Sequence, residues 1–319
     1  MAAANDMDAI LAEVAELYYV HEETQTEIAQ RFHTSRGTVQ RWLQQARERG
    51  IVRIEIAHPV EMLSELEDAL VGKFGLEGAV VVQQGPMSIL ALNKRLGRGC
   101  AQLLLDILAP NMKVGIGWGS FFPHVVSAMA GLGPYQGFGS TFVPLLGWIP
   151  EQPAEAQVSE VCRSFAENCQ GRWVSFYLPL LVEKPATKQA LLDDAYVKEA
   201  LANWDDLDLA IVGIGTTQPR LSDIMVRALG DEAEQIYRRG LVGDICARFI
   251  DESGQFQPIG FDDRMLSIPL PKLRETETVV AVAGGERKLV PILAALKGKW
   301  IDILVTDAVT GYQLLKLTG

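Results

Sequence analysis

Residues 24–50, TQTEIAQRFHTSRGTVQRWLQQARERG, hold two helix signals and the turn between them. Thr24 followed three residues later by Glu27 is a capping-box pattern, in which each side chain accepts from the other residue's backbone N–H. The short helix it opens carries Ile28, Ala29 and Phe32 inward. His33 and Thr34 then make a tight turn, and a longer helix runs from about Ser35 to Arg49 until Gly50 ends it. At ~100° per residue, Val39, Trp42, Leu43 and Ala46 share one side of that helix. Gly37, Gln40, Arg41 and Gln44 fall opposite, with Arg36 flanking them. Two amphipathic helices across a tight turn predict a helix-turn-helix. Upstream, Met7 to His21 reads as a further helix with Ile10, Val14, Leu17 and Tyr18 on one side. Downstream, IVRIEIA (51–57) alternates like a strand and is expected to be a wing or a connector. His58 and Pro59 close it, which divides the chain into residues 1–57 and residues 58–319.

Charge narrows what that helix face does. The 319-residue chain holds 40 acidic and 29 basic side chains, a net charge of −11 that repels nucleic acid as a whole. Residues 1–60 are themselves acidic, with nine acids against six arginines. All six arginines lie between Arg31 and Arg53, where Glu48 is the one acid. Arg and Gln present paired groups that meet G and A edges in the major groove. Thr34, Ser35 and Thr38 add short hydroxyls and a helix N-terminus suited to a phosphate, and Gly37 permits close approach. Thr34, Ser35, Arg36, Gly37, Thr38, Gln40, Arg41 and Gln44 are therefore the candidate contacts to double-stranded DNA. A solvated polar face on an ordinary surface helix is the alternative.

The remaining residues alternate helical stretches with short apolar runs: GAVVV near 80, KVGIGWGS near 115, LDLAIVGIGT near 210, ETVVAVAGG near 280 and IDILVTD near 303. Apolar strands alternating with helices predict a parallel sheet covered on both faces, so the fold class is α/β. With 48% hydrophobic and 22% charged residues the chain is globular rather than disordered. Cys100, Cys162, Cys169 and Cys246 lack metal-ligand spacing and are expected as reduced, buried thiols, with no metal. The start MAAANDMDAI has no signal-peptide pattern and no apolar run nears ~20 residues, so a cytoplasmic protein is expected.

Three groups in the larger part suit a polyol or an anion. Gly115, Gly117 and Gly119 with Ser120 form a turn that exposes backbone N–H groups. Gly284, Gly285 and Lys288 form a second turn that adds a cation. Asp244, just after Gly243 and at the expected end of a strand, is an acceptor for hydroxyls, and Gly213, Gly215 and Thr216, after another strand, are rim candidates. Trp118 and Trp148 are expected in the core, with stacking on a sugar ring as the alternative.

The segments LYYVHEETQTEIAQRFHTSRGTVQRWLQQARERGIVRIEI, VGIGWGS, LAIVGIGT, VGDICARFIDESGQ, VVAVAGGERKLVPILAAL and IDILVTDAVTGYQLL, in this order, resemble the SorC family of sugar-binding bacterial transcriptional regulators across essentially the whole chain. The resemblance implies a winged-type helix-turn-helix domain and a larger Rossmann-like effector and oligomerisation domain, similar to sugar-phosphate isomerases and glucosamine-phosphate deaminases. It implies a regulator of a carbohydrate catabolic operon, controlled by a sugar, polyol or sugar phosphate and working as a dimer or tetramer. The expected effector residues are Gly117, Trp118, Gly119, Ser120, Phe121, Gly215, Thr216, Asp244, Gly284, Gly285 and Lys288, with Lys288 placed in the pocket by the resemblance. Two departures stand out. Phe121 and Phe122 follow the Trp118-Gly119 step where phosphate-sensing members commonly carry Thr or Ser, and Ala308 follows Asp307 where an acidic residue is usual. No catalytic residue and no cofactor is expected: GxSxG, Walker and HExxH patterns are missing, and His124 is the one histidine beyond the His58–Pro59 linker. The alternative is an isomerase- or deaminase-like enzyme drawing its acid and base from Asp244, Asp262 and Asp263.

Overall fold

The computed structural model describes residues 2–52, 63–83, 88–132, 139–150, 152–218, 221 and 223–317. Two compact units divide the chain, Met1–Pro59 and Val60–Gly319. Of the strand expected over 51–57, Ile51 and Val52 form a bend rather than a strand, while residues 53–57 and the division expected after residue 57 lie outside the described residues.

In the first unit, α1 (Ala2–Tyr19), α2 (Gln25–Arg31) and α3 (Arg36–Glu48) form as the apolar spacing requires, with α1 beginning before the expected Met7. Thr24 caps α2: its hydroxyl accepts from Glu27 N at 3.3 Å, and the Glu27 carboxylate accepts from Thr24 N at 2.7 Å. His33 takes a left-handed backbone (φ 49°), and Thr34 N donates to Ala29 O at 2.9 Å, closing the turn. Ser35 caps α3, accepting from Thr38 N at 3.2 Å. Leu11, Val14, Ile28, Val39, Leu43 and Ala46 are fully buried between the three helices, and Phe32 meets Trp42 edge to face.

The second unit is built on a seven-stranded parallel sheet. Its strands are β1 (Gly78–Val82), β2 (Lys113–Ile116), β3 (Thr141–Pro144), β4 (Arg172–Trp173), β5 (Leu209–Gly213), β8 (Thr278–Val282) and β9 (Ile303–Asp307), in the order β1-β9-β8-β5-β2-β3-β4. An antiparallel hairpin, β6 (Leu241–Ile245) with β7 (Arg248–Asp251), stands apart from it. The five apolar runs read from the sequence are β1, β2, β5, β8 and β9; every residue of β5 and β9 is buried, as a strand covered on both faces must be. The covering helices include α4 (Ser64–Phe74), α5 (Ile89–Ile107), α6 (Phe122–Leu132) and α7 (Val158–Asn168), with Leu289–Lys297 and Ala308–Lys316 further on.

This winding places the site. After β2 the chain moves outward through β3 and β4, then returns to lay β5 against the other side of β2 and β8 beyond it. Where an α/β sheet reverses direction in this way, the loops leaving the strand ends part and open a crevice. The loops after Ile116, Gly213 and Val282 leave there. Among the described residues no helix is long and apolar enough to cross a membrane. All four cysteines are free and buried, and burial pushes the thiols of Cys100 and Cys169 up to about 12 and about 11.

Candidate functional sites

On α3, Arg36, Gly37, Gln40, Arg41 and Gln44 are exposed while Val39, Leu43 and Ala46 are buried, so the polar side faces solvent. Thr34 and Thr38 are half-buried. The Ser35 hydroxyl lies 2.9 Å from Thr38 Oγ1, which accepts from Arg41 Nη2 at 3.4 Å; Gln44 Nε2 donates to the Glu48 carboxylate at 2.8 Å. Arg31 pairs with Glu23 and Arg49 with Asp8. Among the described residues Arg36 and Arg41 enter no salt bridge, and both stay open to an external anion.

In the second unit a cavity of about 970 Å³ opens at the crevice. The loop after β2 contributes Trp118, Gly119 and Ser120; the loop after β5, Gly213 to Thr216; the loop after β8, Gly284 to Lys288. The β6–β7 hairpin supplies Asp244 and Cys246, and the N-terminal ends of α5 and α6 supply Asn93 and His124. Thus all the expected effector residues except Gly117 and Phe121 share one wall system.

The loops are stitched together. Gly215 N donates to Asp244 O at 2.8 Å, and a Cβ at Gly215 would lie 1.8 Å from the Asp244 carboxylate, so only glycine fits. Asp244 Oδ2 accepts from Ala247 N at 3.0 Å, and Thr216 Oγ1 lies 3.2 Å from the Arg287 carbonyl it donates to. Lys288 Nζ donates to Ile214 O. Across the cavity, Asn93 Nδ2 donates to Ser120 Oγ at 2.9 Å.

Burial sets the electrostatics. Asp244 is 5% exposed, and burial pushes its carboxyl up to about 6 against the Ala247 N–H and the Lys288 charge, which both hold it down. Burial lowers the Lys288 ammonium below the ordinary lysine value, with Asp244 opposing. His124 is lowered by burial and then by the charge of Lys94, favouring a neutral imidazole.

Several expectations are corrected. Phe121 is 4% exposed and points into the core: its ring lies where a Cβ on Gly119 would sit and 4.4 Å from the Phe122 ring. Gly117 is buried behind the wall, its N–H extending the β2–β5 pairing by donating to Ile211 O at 2.8 Å. Gly115 lies within β2 instead of after it. Asp244, by contrast, does lie at the end of a strand, next to the last residue of β6. Trp118 lines the cavity while packing on the core, and Trp148 is 46% exposed and lies outside the cavity, so neither is a plain core residue. Asp262 is committed to a salt bridge with Arg248 at 2.7 Å, and Asp263 is exposed; neither lines the cavity. Asn93, Arg287 and the wall position of His124 were not anticipated. His124 sits in the first turn of α6, which begins two residues after Ser120, a nearness visible in the sequence, whereas Asn93 arrives from another helix and leaves no local signal.

A recognition-type helix-turn-helix joined to an α/β unit with a ligand-sized cavity that gathers a few polar groups defines the class of protein: a DNA-binding regulator with a ligand-sensing domain. Residues 58–316 match the family described as "Putative sugar-binding domain", and residues 5–49 match sigma-70 region 4. The sorbitol operon regulator of Klebsiella pneumoniae is 30% identical over 96% of this chain and 98% of its own length. Its full-length crystal structure superposes with a TM-score of 0.75 over 97% of this chain and 98% of that one. The deoxyribonucleoside regulator of Bacillus subtilis is 29% identical over 95% of this chain and 96% of its own. The transcriptional regulator LsrR of an Enterobacter species is 31% identical over 97% and 94%. The chain belongs to the SorC family of sugar-binding transcriptional regulators.

Proposed function

We propose that α3 reads operator DNA of a carbohydrate catabolic operon and that the cavity of the second unit binds a sugar, polyol or sugar phosphate that tunes this contact. The observation carrying the reading is the meeting of Asp244, from strand β6, and Lys288, from the turn after β8, in one cavity of about 970 Å³. A carboxylate accepts from sugar hydroxyls, and an ammonium takes a phosphate or a hydroxyl oxygen. On the DNA side, Arg36, Gln40, Arg41 and Gln44 reach base edges, while Thr34, Ser35 and Thr38 hold phosphate and Gly37 admits the backbone. A two-fold assembly, dimer or tetramer, presents paired α3 helices to half-sites.

The cavity senses and does not convert. Its acid–base candidates are Asp244 and His124, and the relatives compared above are all named as regulators. Incubating the purified chain with sugars, polyols and their phosphates tests this directly when melting temperature and product formation are followed together. A rise in melting temperature without product supports sensing; turnover supports an isomerase- or deaminase-like enzyme.

A further inference from the structure

Asp307 is fully buried at the end of β9, behind the cavity wall and out of ligand reach. Its two oxygens have different tasks. Oδ1 accepts from Thr310 N at 3.0 Å, the ordinary cap of the helix Ala308–Lys316. Oδ2 accepts from Gly285 N at 2.6 Å and from Thr310 Oγ1 at 2.6 Å, and that hydroxyl also accepts from Gly285 N at 2.9 Å. Capping needs only the first oxygen. The second grips a turn from a neighbouring strand, and a Cβ on Gly284 would lie 2.5 Å from it. Gly285 is held at φ 93°, a backbone that L side chains rarely adopt, and its carbonyl accepts from Lys288 N at 2.9 Å. The Lys288 ammonium is thereby set against Ile214 O, beside Asp244.

We infer that Asp307 is a positioning residue of the cavity: through Oδ2, Thr310 and Gly285 it fixes the turn that aims Lys288. The functional importance of that aim rests on the effector reading above. The path ends at an amine, so it is measured without any effector, as the rate at which an amine-acylating reagent modifies each lysine, read by mass spectrometry.

In Asp307→Asn the shape is kept but an acceptor is exchanged for a donor, and Lys288 is expected to react about tenfold faster, the loss of roughly one hydrogen bond's restraint. Thr310→Val shows a smaller increase, and Thr310→Ser, which keeps the hydroxyl, reacts like the parent chain. Lys188 and Lys272, half-buried elsewhere, serve as internal references and keep their rates. An unchanged Lys288 rate in folded Asp307→Asn and Thr310→Val overturns the inference, as does a parallel rise at all three lysines. If Asp307→Asn does not fold, the contrast between Thr310→Val and Thr310→Ser decides alone. Binding of sugar phosphates by Lys288→Ala separates the two ideas: normal affinity there removes the effector reading and leaves the labelling result standing.

Discussion

Asp244 concentrates the chemistry of the cavity in one carboxyl whose charge changes near pH 6. Its folded pKa is raised, so the effector-free chain gains stability from this group as pH falls through about 6 toward the ordinary aspartate value, and loses that gain as pH rises again. Effector binding runs the other way, because ligand hydroxyls donate to the ionised form. Calorimetric affinity for an effector is expected to hold above pH 6 and to fall by up to about tenfold for each pH unit below it. A flat profile through that window would remove Asp244 from the ligand contacts. Residue types were the part of this site that the sequence displayed best. Asp244, Lys288 and the glycines were legible as chemistry, since carboxylate, ammonium and exposed backbone N–H suit a polyol or an anion. Phe121 was not, because whether a residue beside a turn faces a cavity or the core depends on the helix that follows.

At the scale of elements, capping and apolar spacing decide the first unit. Ser35→Ala removes the cap of α3 and should cost about 1 kcal/mol of stability, seen as a lower urea midpoint. Arg36→Ala, Gln40→Ala and Arg41→Ala remove exposed groups and should leave that midpoint nearly unchanged. Each is expected to weaken operator binding by about 1–3 kcal/mol in a DNA titration while ligand-induced thermal stabilisation persists. Unchanged DNA affinity in all three would dismiss α3 as the reading element. Both helices and the five apolar strands could be read because each has a local period or an apolar run. The elements not read, β3, β4 and β7, are short, and β6 was expected only by its end at Asp244. β4 is two exposed residues, β3 ends in Pro144, and the β6–β7 hairpin turns through Cys246 and Ala247 at φ 51° and 62°, where glycine or asparagine is the usual marker. Tertiary context holds that turn: Ala247 N donates to Asp244, and the Ser267 hydroxyl donates to Cys246 O. The same hairpin supplies a wall of the cavity, so the part of the fold hardest to read locally is part of the site.

For the whole molecule, regulation is a coupling free energy between two separate units, each with its own core. An effector that favours one functional state changes DNA affinity by the difference of its binding energies to the two, typically about 1–3 kcal/mol or roughly 5–150-fold. By reciprocity, operator DNA must shift effector affinity by the same factor, which calorimetry with and without DNA checks. Operator titration of the parent chain and of Lys288→Ala, each with and without an effector found in the sugar and polyol screen, tests the central claim most directly. The account predicts that Lys288→Ala binds DNA like the effector-free parent and no longer responds to the effector. An undiminished response in that variant would contradict it.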